Sequence, residues 1–297
     1  MSDIALATPL KKEAPVTRRQ PVTQESRATR VTLIALCLAV LVLLVLAPLG
    51  IIFVEATRRG AASALQSLTR PEAVSAIRLT LTVAAITVPL NAIFGIAAAW
   101  AITKFDFRGK AVLITLIDLP FSISPVVVGL SLVLLFGANT ALGGWLVSMG
   151  YPIVFALPAI VLASVFVTFP FVARELIPVM VEQGRAEEEA ALTLGASGWR
   201  CFLTVTLPNI KWALLYGVLL CNARAMGEFG AVAVVSGKIR GQTATMPIAI
   251  EMLYNEYLSV AAFSLAGVLA LLALVTLALK SALEWRHADQ LAATRRH

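Results

Sequence analysis

Charged side chains are scarce in this chain of 297 residues. Lysine, arginine, aspartate and glutamate make up 14% of the residues, whereas hydrophobic residues make up 59%. A soluble globular protein carries about 25% charged residues, so the composition excludes that class and places the chain in a membrane. The net charge of +7 does not indicate a nucleic-acid partner, because cytoplasmic loops of membrane proteins also carry an excess of lysine and arginine.

Residues that build metal centres and hydrolytic sites are also few. The two histidines, His287 and His297, lie close to the end of the sequence, and the cysteines Cys37, Cys201 and Cys221 are scattered. We therefore expect no histidine-based site, no metal and no disulfide framework, and we interpret the cysteines as small hydrophobic residues. The sequence contains no P-loop, HExxH or GxSxG pattern. It predicts a protein that is not itself an enzyme and binds no cofactor.

Long hydrophobic runs are abundant, and each is near the roughly 20 residues that a membrane-spanning helix needs. They cover residues 31–54, 75–102, 111–136, 152–173, 211–236 and 260–281. The sequence therefore predicts an all-α membrane protein with about six transmembrane helices.

The runs also divide the chain into segments. Residues 1–30 are polar, basic and proline-containing, which predicts a disordered cytoplasmic arm. Residues 31–54 are predicted to be the first transmembrane helix, because the run is too long for a signal peptide and lacks a cleavage site. Residues 75–281 form the predicted core, and residues 282–297 a cytoplasmic tail.

The distribution of lysine and arginine predicts the orientation in the membrane. Most of these residues fall on alternate segments, among them Arg174, Arg185 and Arg200. By the positive-inside rule, both termini and residues 174–210 are predicted to be cytoplasmic.

Two prolines, Pro120 and Pro125, interrupt the third run. Broken helices are tolerated in membranes where they are covered by protein or line a cavity. The sequence leaves two interpretations open, a helix that lines a transport pathway and a packed kink.

Residues 187–208 form a polar segment between two hydrophobic runs. Three glutamates would open a short helix, where the helix macrodipole favours negative charge, and Gly195 would end it in a left-handed conformation. Ser197 is placed to cap a second helix. A bare connection needs only a few residues, so this hairpin predicts a docking element for a cytoplasmic partner; a simple connector is the alternative.

A polar cluster lies inside the fifth run and consists of Asn222, Arg224 and Glu228. Each ionised group there costs at least about 2.5–3.5 kcal/mol on insertion scales, and Arg224 and Glu228 are spaced to pair on one helix face. The pair either serves the transport pathway or holds two helices together. The structural interpretation is preferred, because a paired arginine binds anions poorly.

Two further cations, Lys238 and Arg240, would flank the outer mouth. They could raise the local concentration of an anionic substrate, or they could belong to an ordinary solvated loop.

The hairpin resembles the EAA motif of binding-protein-dependent ABC importer permeases in Glu189-Ala190-Ala191, Gly195 and the ending Val205-x-Leu207-Pro208. Valine stands at 205 where isoleucine is usual in that family. The resemblance implies a type I importer permease architecture, with a cytoplasmic coupling helix between the fourth and fifth spans. The residues that would couple it to an ATPase are Glu189, Ala190, Ala191, Leu192, Gly195 and Ala196.

Residues 206–243 and 253–257 resemble, more narrowly, CysW-type permeases of sulfate/thiosulfate importers. This resemblance implies half of a pore in the bacterial inner membrane. The implied partners are cytoplasmic ATPase subunits that use ATP, a second homologous permease subunit, a periplasmic sulfate/thiosulfate-binding protein and membrane lipid. A molybdate/tungstate importer permease is the alternative. An ion-coupled secondary transporter is disfavoured, because no inverted repeat is evident.

Overall fold

The computed structural model describes residues 27–286, which form helices and turns without any strand in that range. Residues 1–26 of the predicted arm and residues 287–297 of the predicted tail lie outside the described part. The helices are α1 (Arg27–Leu41), α2 (Ala47–Thr57), α3 (Ala61–Leu68), α4 (Pro71–Lys104), α5 (Lys110–Ser122), α6 (Pro125–Phe136), α7 (Ala141–Ser148), α8 (Leu157–Gln183), α9 (Ala186–Thr193), α10 (Gly198–Cys201), α11 (Leu207–Met226), α12 (Gly230–Val235), α13 (Met246–Asn255) and α14 (Ser259–Arg286).

The chain divides into two compact units, one up to Pro48 and one from Leu49. In the first unit, the described residues form α1, a π-helical turn at Val42–Leu46 and the start of α2. Residues 27–30, the described part of the segment that was expected to be a disordered arm, are therefore helical.

Five helical stretches are long and apolar enough to cross a membrane. They are Arg27–Thr57, Pro71–Lys104, Leu157–Gln183, Gly198–Met226 and Ser259–Leu283. A sixth candidate is the pair α5 and α6, which is bent by 109° at the break between Ser122 and Pro125. The prediction of an all-α chain with about six spans is confirmed, and so is the interruption of the third run.

The fourth span differs from the prediction, because α8 continues to Gln183 and ends only at Gly184, whose φ is 67°. Arg174 therefore lies within a helix and not in the cytoplasmic loop to which its charge assigned it. The hydrophobic run stops at Arg174-Glu175, but Leu176 and Met180 beyond it are buried. Packing of these two side chains continues the helix past the charges.

The fifth span also differs at both ends. It begins at Gly198 and passes through a π-helical turn at Phe202–Thr206. This wider turn precedes Pro208, which has no N–H and whose ring crowds the preceding helical turn. At the other end, α11 stops at Met226, and α12 begins only at Gly230. The predicted continuous helix over 211–236 is therefore wrong.

The core of the second unit is the contact between α4 and α8, where small and polar side chains allow close approach. A β-carbon at Gly95 would lie 2.6 Å from Val172 Cγ1 and 3.1 Å from the Ala173 backbone nitrogen. One turn away, the fully buried Asn91 donates a hydrogen bond of 2.7 Å to Thr168 Oγ1. Small side chains and interhelical hydrogen bonds of this kind are the usual means of helix association in a membrane.

The close approach predicts different effects for two glycine substitutions. Gly95→Ala should lower the free energy of unfolding by about 1–3 kcal/mol, because the new methyl group overpacks the contact with Val172. Gly50→Ala should be neutral or slightly stabilising, because no atom of the described residues outside its own helix backbone lies within 4 Å of a β-carbon there. Unfolding of the purified chain in detergent measures the free energy of unfolding of both variants. Equal stability of the two would contradict the close contact of Gly95 with Val172.

Candidate functional site

The hairpin after α8 is closed by a defined helix ending. Gly195, with φ of 88°, follows α9, and its N–H donates to the Leu192 carbonyl at 3.0 Å. The Ala196 N–H donates to the Ala191 carbonyl, also at 3.0 Å. These two bonds form a Schellman motif, which requires a residue that tolerates positive φ. Ser197 then caps α10 by accepting a hydrogen bond of 3.4 Å from the Arg200 N–H.

The hairpin exposes large apolar side chains. Leu192, Leu194 and Trp199 are 51%, 89% and 68% exposed, and Trp199 is stacked on Phe202 with ring centroids 5.6 Å apart. Glu189 and the small Ala190 are exposed beside them. A short polar hairpin that displays such residues together has the composition of a contact surface for another protein.

The first glutamates of α9 anchor the hairpin to the helix that follows it. Glu188 Oε1 accepts a hydrogen bond of 2.6 Å from Thr206 Oγ1, and Glu187 accepts one from the Asn209 side chain. Glu189 makes no side-chain polar contact among the described residues. Glu189, the glutamate of the EAA-like motif, is thus available on the surface, while Glu187 and Glu188 hold the hairpin in place.

A second polar site lies at the break between α11 and α12. Arg224 Nη1 is 2.5 Å from Glu228 Oε2, and Glu228 Oε1 accepts a hydrogen bond of 3.0 Å from the Ala231 N–H. The Glu228 side chain is 1% exposed and that of Arg224 is 35% exposed. One carboxylate therefore neutralises the arginine and caps α12. Asn222 is half-buried and makes no side-chain hydrogen bond within residues 27–286.

The break before α12 lies beside the break before α6. A β-carbon at Gly230 would be 3.0 Å from Pro125 Cβ, and one at Gly129 would be 2.6 Å from the Ala231 carbonyl oxygen. The half-helices α6 and α12 thus pack together from their first turns. Interrupted helices at membrane depth are tolerated where protein covers them or where they line a cavity.

The two cations of the predicted outer mouth are both paired. Lys238 Nζ lies 2.7 Å from Glu251 Oε2, while Arg240 contacts Glu72 at 3.4 Å and also pairs with Glu256. These carboxylates lower the positive potential that the sequence analysis assigned to this loop. The pairs tie the loop to α4 and α13.

No group of three or more histidine, cysteine or acidic side chains that could hold a metal ion occurs between residues 27 and 286.

Comparison with protein families identifies the architecture. Residues 91–286 match the family described as binding-protein-dependent transport system inner membrane component. The chain belongs to this permease family. The matched range contains the hairpin, the polar break and the outer loop.

Two relatives of the permease are sulfate transport system permease proteins named CysW. This permease is 52% identical over 258 residues to the CysW protein from Escherichia coli, and the match covers 87% of this chain and 89% of that protein. It is 54% identical over 254 residues to the protein from Synechocystis, covering 86% and 92%. The CysT sulfate permease of Escherichia coli is 35% identical over 235 residues, covering 79% and 85%.

Among solved structures, the permease resembles a chain of a bacterial ABC transporter that imports the acidic polysaccharide alginate. The TM-score is 0.69 at 16% identity, and the match covers 88% of this permease and 96% of that chain. At this level of identity the match shows the fold, which is that of an ABC importer permease.

Several contacts of the permease could not be predicted from the sequence, because they join segments that are distant along the chain. Lys104, at the end of α4, pairs with Glu188, and Arg174 of α8 pairs with Asp118 of α5 at 3.3 Å. The charges were visible in the sequence, but neither pair follows a local spacing rule. The cap on Ala231 did have a local signal, a carboxylate three residues before a free backbone N–H.

Proposed function

We propose that this chain is an inner-membrane permease subunit of an ATP-driven importer of sulfate or thiosulfate. The observation that carries the proposal is the identity of 52% and 54% to two sulfate transport system permeases over most of both chains. The fold supports it, because the described helices match those of an importer permease.

In this proposal the chain forms half of the translocation pore. It is similar both to CysW and to the differently named CysT permease of the sulfate system of Escherichia coli. Two related but distinct permeases in one system support a heterodimer. The second half of the pore would therefore be a CysT-type subunit.

The energy would come from cytoplasmic ATPase subunits that dock on the hairpin. The sequence contains no P-loop, and the hairpin displays Leu192, Leu194 and Trp199 on its surface. The proposed coupling residues are Glu189, Ala190, Ala191, Leu192, Gly195 and Ala196. This arrangement requires the hairpin and both chain termini to be cytoplasmic.

The substrate would be delivered by a periplasmic binding protein at the opposite face. A solved structure of the alginate transporter includes a periplasmic protein with its bound oligosaccharide. This chain matches a chain of that transporter structure with a TM-score of 0.69. The loop that holds Lys238 and Arg240 lies at the proposed docking face.

The Arg224–Glu228 pair is proposed to hold the break between α11 and α12 together, with contact between Arg224 and the transported anion as the alternative. Glu228 neutralises Arg224, about a third of whose side chain remains exposed, and a paired guanidinium binds an oxyanion poorly. Arg224→Gln should lower the abundance of the permease, because it leaves the buried Glu228 carboxylate without its cation, while uptake per folded transporter should change little. A loss of uptake of about tenfold, the effect of losing one charged hydrogen bond, at wild-type abundance would instead assign Arg224 to the transport pathway.

Uptake of radiolabelled sulfate by the complete transporter in proteoliposomes tests the substrate. We expect unlabelled sulfate and thiosulfate to compete and molybdate to compete poorly. Strong competition by molybdate or tungstate, with weak competition by thiosulfate, would favour the alternative importer.

A further inference from the structure

The cytoplasmic end of α4 is fixed to the root of the hairpin by a lysine. Lys104 Nζ lies 3.0 Å from Glu188 Oε2 and donates a hydrogen bond of 2.5 Å to the Gly184 carbonyl. The two side chains are only 8% and 16% exposed. Salt and water screen such a pair much less than they screen a surface pair.

A second set of contacts joins the same two segments. Arg185, which precedes α9, donates a hydrogen bond of 3.4 Å to the Thr103 carbonyl. Its guanidinium also lies 3.6 Å from Asp106 Oδ2. The last turn of α4 thus contacts the hairpin through one lysine and one arginine, both of which complement the negative end of the helix dipole.

Glu188 is the point where these contacts meet the fifth span. Its Oε2 pairs with Lys104, while its Oε1 accepts the hydrogen bond from Thr206. By chain connectivity the hairpin is attached only to the fourth and fifth spans. The Lys104–Glu188 pair attaches it to a further span, α4, which is distant in sequence.

We propose that the Lys104–Glu188 pair transmits displacement of the hairpin to α4, so that three spans move when the ATPase subunits act. The inference rests on the proposed function. Helices are stiff, and packed helices move by small sliding displacements. A pull on the end of α4 therefore shifts it along α8, where Gly95 and Val172 meet without an intervening side chain. Lys104 and Glu188 are positioning residues in this mechanism and do not contact the substrate.

The test uses the complete transporter in proteoliposomes and measures sulfate imported per ATP hydrolysed. Lys104→Met should lower this ratio about tenfold, within the range of coupling energies that single substitutions change. Lys104→Arg should retain most of the ratio, because arginine keeps the charge and can donate to both partners. Arg58→Met is the control: Arg58 pairs with Glu55 at 3.3 Å and makes no described contact with the hairpin or with the end of α4, so the ratio should not change.

Two results would overturn the proposal. If uptake and hydrolysis fall together, so that the ratio is unchanged, the pair only supports folding or assembly; if neither changes, it has no role. If Lys104→Met fails to assemble, the same ratio is measured for Glu188→Gln, which removes the charge and keeps an acceptor for Thr206. An unchanged ratio in that variant would again overturn the proposal. Failure of the wild-type complex to link uptake to hydrolysis would instead refute the proposed function.

Discussion

Gly195→Val is expected to abolish ATP-driven sulfate uptake while leaving the membrane helices folded. The left-handed conformation of residue 195 costs a residue with a β-carbon about 1–2 kcal/mol. Both Schellman hydrogen bonds of the hairpin depend on this conformation. Displacing a contact at the centre of the interface with the ATPase subunit lowers the free energy of binding by about 2 kcal/mol or more. Together these losses weaken binding of the ATPase subunit by about a hundredfold or more, which co-purification and uptake would measure.

Two asparagine variants separate backbone strain from contact with the partner. Asparagine tolerates positive φ, and among the described residues no atom beyond the adjacent residues lies within 4 Å of a β-carbon at Gly195 or at Gly109, where φ is 96°. Gly195→Asn should still weaken ATPase binding, because its side chain projects into the docking surface. Gly109→Asn, outside the hairpin, should bind normally. Wild-type uptake by Gly195→Val would mean that the hairpin is only a connector.

Glu228→Ala is expected to destabilise the folded permease more than any other single change considered at the polar break. The substitution removes the partner of Arg224 and the acceptor for the Ala231 N–H. Breaking one side of a buried pair costs roughly 3–5 kcal/mol, and the partial exposure of Arg224 places the loss near 3 kcal/mol. The abundance of the permease in the membrane and its unfolding in detergent would report this loss.

The matched control is an exposed ion pair elsewhere in the chain. Arg58 lies 3.3 Å from Glu55 with side chains 73% and 29% exposed, so Glu55→Ala should cost no more than about 1 kcal/mol. Glu228→Gln should fall between the two, because it keeps an oxygen for the Ala231 N–H. Equal stability of Glu228→Ala and Glu55→Ala would show that the buried pair does not hold the break together.

The sequence predicted those features that depend on local spacing. The hairpin is an example, because the left-handed Gly195 and the capping Ser197 satisfy backbone groups a few residues away. The pairing of Arg224 with Glu228 is another, since the two are four residues apart. The hydrophobic runs likewise located the spans, because membrane helices satisfy their own backbone hydrogen bonds.

The errors concern features that depend on tertiary contacts. Hydropathy ended the fourth span at Arg174, whereas burial of Leu176 and Met180 continues α8 to Gln183. Hydropathy also merged α11 with α12, because the apolar residues around Gly227 hide the end of one helix and the start of the next. Pairs such as Lys104 with Glu188 join distant segments, and no local period encodes them.

Omitting one component at a time from reconstituted proteoliposomes tests the central proposal, that this permease is driven by a separate ATPase subunit docked on its hairpin. Radiolabelled sulfate uptake should require ATP, the ATPase subunit, the second permease subunit and the binding protein, and it should vanish when any of them is left out. Sulfate uptake by this chain alone, or uptake driven by an ion gradient without ATP, would contradict the proposal.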